Sequence, residues 1–327
     1  MTTTSSRRTF LRSAGLATGG IFFVRYAAEG LLASATLPSP GQGAAATADP
    51  LAAVRAQTGA QPIKSTPLGE RLVMLSGPGG NVVVLRGPDG KVVVDTFVQP
   101  AWPHLKSALE AIDGQPVKTL IDTHWHFDHT DNNAQFRAAG AVVLAHENTK
   151  TRMTQPHDLL GMHIEASTAA ALPTRTFKTT ESLRANGEEI ELMYLPPAHT
   201  DTDIFVHYRK ANVLHMGDIF FNGFYPFIDA GTGGTINGMI DGAGKALGMT
   251  NRTTKIVPGH GPLADRTALE TYRKVITTVR DRVRDLKRSG KTLEQVQAAK
   301  PSAEFDAAWG KGLMSPDGFV GVVYATV

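Results

Sequence analysis

The sequence contains no cysteine among its 327 residues. The chain therefore forms no disulfide, and no thiolate is available as a nucleophile or as a metal ligand. It also lacks any run of 18 apolar residues, so we predict no stable membrane span in the mature form. Stability must come from a hydrophobic core, for which a hydrophobic content of 42% is sufficient.

The sequence also lacks an excess of charge of either sign once its N-terminus is set aside. Charged residues make up only 19% of the chain, and the formal net charge is +3. The first 35 residues hold four basic residues and one acidic residue, namely Arg7, Arg8, Arg12, Arg25 and Glu29. Taking these from the 33 basic and 30 acidic residues of the whole chain leaves a net charge of zero. We therefore predict no nucleic-acid partner, because such binding depends on an excess of basic residues.

The N-terminal segment has its features in the order of an export signal. The pair Arg7-Arg8 precedes a weakly apolar, Gly- and Ala-rich stretch over residues 15–24, and Ala33-Ser34-Ala35 has the small-x-small form of a cleavage site. Residues 46–48 would serve equally well as the cleavage site. A paired arginine in this position resembles a twin-arginine signal. We therefore predict that the twin-arginine export machinery recognises the precursor and that the mature protein is periplasmic.

Three regions follow from this interpretation. We predict a signal segment over residues 1–35, a linker over residues 36–66, and a folded domain with C-terminal helices over residues 67–327. The linker prediction rests on the Pro, Gly and Ala that dominate its first part.

The pattern of the folded region is that of an α/β (α+β) protein. Two valine-rich runs, residues 82–85 and 92–94, flank Pro88-Asp89-Gly90 and predict a β-hairpin. Apolar spacing predicts helices over residues 102–112 and 263–288. Residues 154–176 show little periodicity and are interpreted as an irregular excursion. Two sets of strands with interleaved helices predict four layers, with helices outside two packed sheets.

One short stretch concentrates metal-ligand residues. His124, His126, Asp128 and His129 fall within six positions, directly after the predicted strand 117–121. A single histidine in such a loop is usually an ordinary hydrogen-bonding residue. Three histidines with an aspartate are the ligand types that suit a divalent ion such as zinc.

Three further residues of ligand type, His199, Asp218 and His260, each follow a predicted strand. Loops at the carboxyl ends of strands gather at one edge of an α/β fold, so we expect all seven residues to assemble. We predict one group of His124, His126 and His199, a second group of Asp128, His129 and His260, and Asp218 as a bridge between them. Two divalent ions about 3.5 to 4 Å apart hold a shared hydroxide, which serves as the nucleophile.

This ordered set of motifs resembles the metallo-β-lactamase fold superfamily. The resemblance rests on His124-x-His126-x-Asp128-His129, His199-Thr200, Gly217-Asp218 and Gly259-His260-Gly261, and extends from about Arg71 to Gly261. It implies an αββα four-layer sandwich with two Zn²⁺ per chain at the sheet edge, and it places Asp95 behind the metal loop. His129 and Asp218 stand where the best-known β-lactamase subclass has Arg and Cys. The ligand set is therefore more similar to the glyoxalase II, lactonase and general hydrolase branch.

From these residues we predict a zinc-dependent metallo-hydrolase whose metal-bridging hydroxide attacks a small ester or amide, of lactone or β-lactam type. Asp128 is predicted both to bind metal and to carry a proton to the leaving group. Thioester and phosphoester hydrolysis remain alternatives. A mononuclear iron sulfur dioxygenase is another, because it would use the same first three histidines and leave the second group empty.

An aromatic run follows Asp218 and gives candidates for contact with a small-molecule substrate. Phe221, Phe224 and Tyr225 leave a strand end that carries a predicted ligand, and Gly and Pro interrupt the run. We predict that these three residues wall the substrate pocket. The alternative is that they belong to the hydrophobic core.

Overall fold

The computed structural model describes residues 49–327, so the predicted signal segment lies outside the described residues. The first part of the chain forms α1 (Pro50–Gly59), β1 (Lys64–Pro67), β2 (Leu72–Gly77), β3 (Gly79–Leu85), β4 (Lys91–Val94), α2 (Trp102–Ile112), β5 (Val117–Ile121), α3 (Phe127–Thr130), α4 (Asn133–Ala138), β6 (Val142–His146), α5 (Glu147–Met153), β7 (His157–Leu159), β8 (Met162–Ile164) and β9 (Arg175–Phe177). The second part forms β10 (Thr180–Ala185), β11 (Glu188–Tyr194), β12 (Ile204–Tyr208), β13 (Val213–His215), α6 (Ile236–Met249), β14 (Lys255–Val257), α7 (Arg266–Arg288), α8 (Leu293–Ala298), α9 (Ala303–Trp309) and α10 (Pro316–Thr326).

The larger sheet has seven strands in the order β1-β2-β3-β4-β5-β6-β9. Its first four strands pair antiparallel, and Val83 lies opposite Val94 in the predicted hairpin. From β4 onward the strands are parallel, because helices connect them and bring the chain back to the same starting edge. The carboxyl ends of β4, β5 and β6 therefore point to one edge of the sheet.

The smaller sheet has five strands in the order β10-β11-β12-β13-β14. Neighbouring strands are antiparallel except β13 and β14, which are parallel and are joined through α6. β12 and β13 form an antiparallel pair in which Val206 lies opposite His215. Because β13 and β14 run in the same direction, the loops that follow them lie side by side.

The two sheets pack face to face, and helices cover both outer faces. Side chains from the inner faces form one apolar layer, to which Val83 and Val94 contribute from the larger sheet and Leu192 and Val206 from the smaller. Residues 82–85 are buried without alternation because both faces of β3 are covered. Helices α1 and α2 cover one outer face, and α6, α7, α8 and α10 cover the other. The predicted four-layer αββα sandwich is confirmed.

Two segments differ from the pattern that the sequence predicts. Over its described part, residues 49–66, the predicted linker is folded as α1 and β1. Asp49 caps α1 by accepting a hydrogen bond from the backbone N–H of Leu51, Pro50 occupies the first turn, and Leu51 and Val54 are buried. The predicted irregular excursion contains the hairpin β7–β8, whose turn residues Leu160 and Gly161 both have positive φ. Within residues 49–327, no helix combines the length and apolar character that crossing a membrane requires.

Candidate metal centre

The structure brings the seven predicted ligands together at one edge of the sandwich. The chain leaves β5 at Ile121 and carries His124 and His126 in a loop and Asp128 and His129 in α3. His199 follows β11, Asp218 lies in a short 3-10 turn after β13, and His260 follows β14. Ligand-type atoms lie within 4.8 Å of one another in three groups, which are His124–His126–His199, His124–His129–Asp218 and Asp128–His129–His260.

The three-histidine group is buried and its nitrogens converge. Nε2 of His199 lies 2.9 Å from Nδ1 of His126. The other nitrogen of each ring already has an acceptor, because Nδ1 of His199 contacts the carbonyl oxygen of Phe227 (2.9 Å) and Nε2 of His126 contacts the Asp229 carboxylate (3.1 Å). With protons on those outer nitrogens, the two facing nitrogens both present lone pairs. Such a pair is stabilised by a cation between them.

Two carboxylates join histidines in the mixed group. Nε2 of His129 and Nε2 of His260 lie 3.4 Å apart, and Oδ2 of Asp128 lies 3.5 Å from the first and 3.2 Å from the second. Asp218 lies between this group and the three-histidine group. Its carboxylate oxygens lie 3.2 Å from Nε2 of His129, 3.3 Å from Nε2 of His260 and 3.5 Å from Nε2 of His199. Asp218 is therefore within 3.5 Å of a histidine nitrogen in each of the two groups.

The electrostatics of the two groups differ. Burial lowers the pKa of His199 to about 4, so its ring is neutral and free to act as a ligand near neutral pH. Burial also lowers the pKa of His260, but the Asp218 and Asp128 carboxylates outweigh burial and raise that pKa to about 9. Burial raises the pKa of Asp218, but His260 and His129 more than offset it and hold that pKa well below its usual range. A metal ion entering the mixed group therefore displaces protons.

The polar atoms of the site fit a divalent cation. Nε2 of His124 is buried and has no hydrogen-bond partner among residues 49–327, while its Nδ1 lies 3.1 Å from the Thr123 hydroxyl. A buried nitrogen without a partner is unfavourable, and a bound metal ion would provide the missing interaction. The donor set of imidazoles and carboxylates is the one that zinc and similar ions prefer.

Two glycines allow the backbone to approach the candidate ligands. A Cβ atom at Gly80 would lie 2.0 Å from Cε1 of His129, and a Cβ atom at Gly259 would lie 1.9 Å from Oδ1 of Asp218. Neither position has room for any side chain. The loop after β14 and the start of β3 therefore pack directly against the mixed group.

Asp95, which the resemblance places behind the metal loop, has that position in the structure. It is fully buried and has a positive φ of 63°, a strained conformation for a residue other than glycine. Its carboxylate accepts hydrogen bonds of 2.8 Å from the backbone N–H and the hydroxyl of Thr123, and contacts Nδ1 of His129 at 2.8 Å. Asp95 thereby orients His129 so that Nε2 faces the site.

Sequence reasoning missed two residues that hold the ligand loops. Asp229 contacts Nε2 of His126 and accepts a hydrogen bond from the Thr232 hydroxyl. Asn81 donates to the carbonyl oxygens of Pro258 and Gly261 and therefore clamps the loop that carries His260. Each lies far along the chain from the residue it positions, and no local motif marks either of them.

A cavity borders the metal site, and the predicted aromatic wall forms part of it. Phe221 and Phe224 line the cavity, and the Phe221 ring is stacked on His260 with ring centres 5.4 Å apart. Tyr225 differs from the prediction and lies in the core. It is fully buried, its ring is stacked on Phe319, and its hydroxyl donates to Asp306 (2.8 Å). Phe227 lines the cavity in its place.

Fold and site together define a class, that of αββα sandwich proteins with a cluster of metal-ligand residues at the sheet edge. The sequence profile described as the metallo-beta-lactamase superfamily matches residues 75–271, which is more than half of the chain. The protein belongs to the metallo-beta-lactamase superfamily.

Solved structures share this fold at low sequence identity. A metallo-beta-lactamase from Pontibacter korlensis is 16% identical with a TM-score of 0.55, and the match covers 66% of this chain and 99% of that one. The stereoselective inverting sec-alkylsulfatase Pisa1 from Pseudomonas sp. is 16% identical with a TM-score of 0.61, and the match covers 80% of this chain and 50% of that one. At these identities the likeness concerns the fold alone.

One curated protein is similar over a shorter region. The 2,4-dinitroanisole O-demethylase subunit alpha of Nocardioides sp. (strain JS1661) is 31% identical over 134 residues. The match covers 40% of this chain and 38% of that protein, so the chain spans well under half the length of this relative.

Proposed function

We propose that the protein is a zinc-dependent hydrolase of small esters or amides, of lactone or β-lactam type, with two Zn²⁺ per chain. The observation that carries the proposal is the convergence of seven ligand-type side chains at one edge of the sandwich, in three overlapping groups. His124, His126 and His199 would hold one ion, Asp128, His129 and His260 the other, and Asp218 would contact both. The outer nitrogens of His126, His129 and His199 each meet an oxygen acceptor, as is typical of metal-binding histidines.

Bound divalent ions supply a water of lowered pKa and polarise the group under attack. The residues of the chain perform the remaining tasks. Asp218 places a negative charge between the two groups. Asp128 lines the cavity, and although burial raises its pKa, His129 and His260 more than offset this and lower it. Its ionised carboxylate can accept a proton from the attacking water and pass it to the leaving group.

The proposal is tested by metal analysis of the purified mature protein together with a substrate panel. Acyl lactones, nitrocefin, thioesters and nitrophenyl phosphates represent the substrate classes under comparison. We expect two zinc ions per chain and hydrolysis of a lactone or β-lactam that a chelator abolishes and zinc restores. One iron per chain, with no hydrolysis of any panel member, would favour the sulfur dioxygenase instead.

Cleavage of an aryl methyl ether is a second candidate function. The observation that favours it is the 31% identity over 134 residues to a protein named for O-demethylation of 2,4-dinitroanisole. The test is incubation of the zinc-loaded protein with 2,4-dinitroanisole, followed by measurement of the coloured dinitrophenolate. Release faster than in the chelator-treated control would support this candidate, and equal rates would eliminate it.

We also propose that the precursor is exported by the twin-arginine machinery and that the mature protein acts on a small molecule in the periplasm. Support comes from the sequence alone, through Arg7-Arg8 and the Ala33-Ser34-Ala35 segment. Twin-arginine substrates fold before transport, so metal would enter the site in the cytoplasm.

A further inference from the structure

The cavity beside the metal site has an apolar wall. Its side chains come from α1, the β7–β8 hairpin, the aromatic run and the segment before α10, and they include Val54, Leu160, Met162, Phe224 and Leu313. The polar side chains that border it are those of the proposed ligands His126, Asp128, Asp218 and His260. Among the described residues, no lysine or arginine lines this cavity.

The arginine that follows Val54 in α1 is already paired. The Arg55 guanidinium donates two hydrogen bonds to the Asp131 carboxylate, from Nε at 2.7 Å and from Nη2 at 2.6 Å. The same group lies 5.3 Å from the centre of the Phe127 ring. Arg55 is therefore held against Asp131 and is not presented to a ligand in the cavity.

The wall is tightly packed where the C-terminal segment meets the aromatic run. A Cβ atom at Gly312 would lie 2.7 Å from the Phe224 side chain, so the two segments are in close contact. Val54 and Leu313 both lie outside residues 75–271, which match the superfamily profile. Segments outside the part of the chain that matches the superfamily therefore form this side of the cavity wall.

We propose that the cavity selects an uncharged, apolar group of the substrate. This inference rests on the proposed hydrolase function, and it means that the substrate is a neutral ester or lactone. A β-lactam that carries a carboxylate fits poorly, because the side chains of the wall are apolar and offer that carboxylate no cation. An apolar group gains from burial against these side chains, whereas an unpaired anion loses its hydration without compensation.

The test compares two esters that differ in one terminal group. These are 4-nitrophenyl hexanoate and the mono-4-nitrophenyl ester of adipic acid, whose chain ends in a carboxylate. For the zinc-loaded protein we expect kcat/KM for the hexanoate to exceed that for the adipate ester by about tenfold or more, because one unpaired charge is left in the cavity. Equal values, or a preference for the adipate ester, would overturn the proposal.

A matched pair of variants assigns the selection to this cavity. Leu160 at the hairpin tip and Val142 at the start of β6 are both exposed apolar side chains, at 40% and 43%, and only Leu160 lines the cavity. Leu160→Lys should reduce the preference for the hexanoate by about threefold or more, since it adds a cation at the cavity mouth. Val142→Lys should leave the preference unchanged. No effect of Leu160→Lys, or an equal effect of both variants, would overturn the assignment.

A binding measurement separates failure of this proposal from failure of the hydrolase function. If the zinc-loaded protein hydrolyses neither these esters nor any member of the substrate panel, the hydrolase proposal fails, and calorimetry with 4-nitrotoluene and 4-nitrobenzenesulfonate still tests the cavity. These two probes differ in one substituent, which is an apolar methyl group in 4-nitrotoluene and an anionic sulfonate in 4-nitrobenzenesulfonate. Tighter binding of 4-nitrotoluene supports an apolar site, and equal or tighter binding of the sulfonate overturns it.

Discussion

Replacing Asp229 by alanine should weaken metal binding at the three-histidine group and leave the mixed group nearly unchanged. The Asp229 carboxylate is 5% exposed and lies 3.1 Å from Nε2 of His126. Burial raises its pKa, but His126 more than offsets this and lowers the pKa to about 2, so the carboxylate remains ionised at neutral pH. It therefore fixes the tautomer in which Nδ1 of His126 faces the site.

The size of the effect follows from this contact. Loss of a partner that orients a ligand histidine typically reduces metal affinity about 10- to 100-fold, or ~1.4 to 2.7 kcal/mol. Asp229 also accepts hydrogen bonds from the hydroxyl and backbone N–H of Thr232, so the variant should lose a further ~1 to 3 kcal/mol of folding free energy. The two effects need separate measurements.

The assay is zinc competition against a chromophoric chelator, with thermal unfolding measured on the metal-free protein. Glu188→Ala is the matched control, because Glu188 is also buried and accepts from the backbone N–H groups of Lys210 and Ala211, remote from the site. Asp95→Ala should show the converse pattern, weakening the mixed group through His129. If Asp229→Ala lowers stability as Glu188→Ala does and leaves both zinc affinities intact, its proposed role in positioning His126 is refuted.

Further outcomes can be measured on the same preparation. Asp218→Ala should weaken both zinc ions in the competition assay, and loss of only one would show that the carboxylate is not shared. Phe224→Ala should change the ratio of the rates on 4-nitrophenyl acetate and 4-nitrophenyl hexanoate, by an amount equivalent to roughly 1 to 3 kcal/mol of transition-state binding. Both metals should be retained. Tyr225→Ala should instead lower the free energy of unfolding by ~3 to 5 kcal/mol and leave that ratio unchanged, because the ring lies in the hydrophobic core. A changed ratio with normal stability would show that Tyr225 contacts the substrate. Replacement of Arg7 and Arg8 by lysine should leave the precursor in the cytoplasm on fractionation, and unchanged export would reject a twin-arginine signal.

Sequence alone was sufficient for the sandwich and for the set of candidate ligands. The two valine-rich runs around Pro88-Asp89-Gly90 predict a β-hairpin, and in the structure Val83 lies opposite Val94. The ligand positions could be predicted because they lie in the segments that come after strands, and parallel neighbours such as β13 and β14 bring their carboxyl ends to the same edge. Short-range patterns of this kind are properties of local chain geometry, which a single sequence carries.

The tertiary structure decided which distant residues hold and surround that site. Asp229 lies 103 residues from His126, and its contact depends on how two loops pack. Tyr225 and Phe224 are adjacent in an aromatic run, yet one faces the core and the other the cavity, since backbone direction at a turn sets side-chain direction. Val54 belongs to a segment that resembles a linker, but its burial under the hairpin makes it part of the cavity wall. Contacts of this kind arise from packing between elements, which no local pattern encodes.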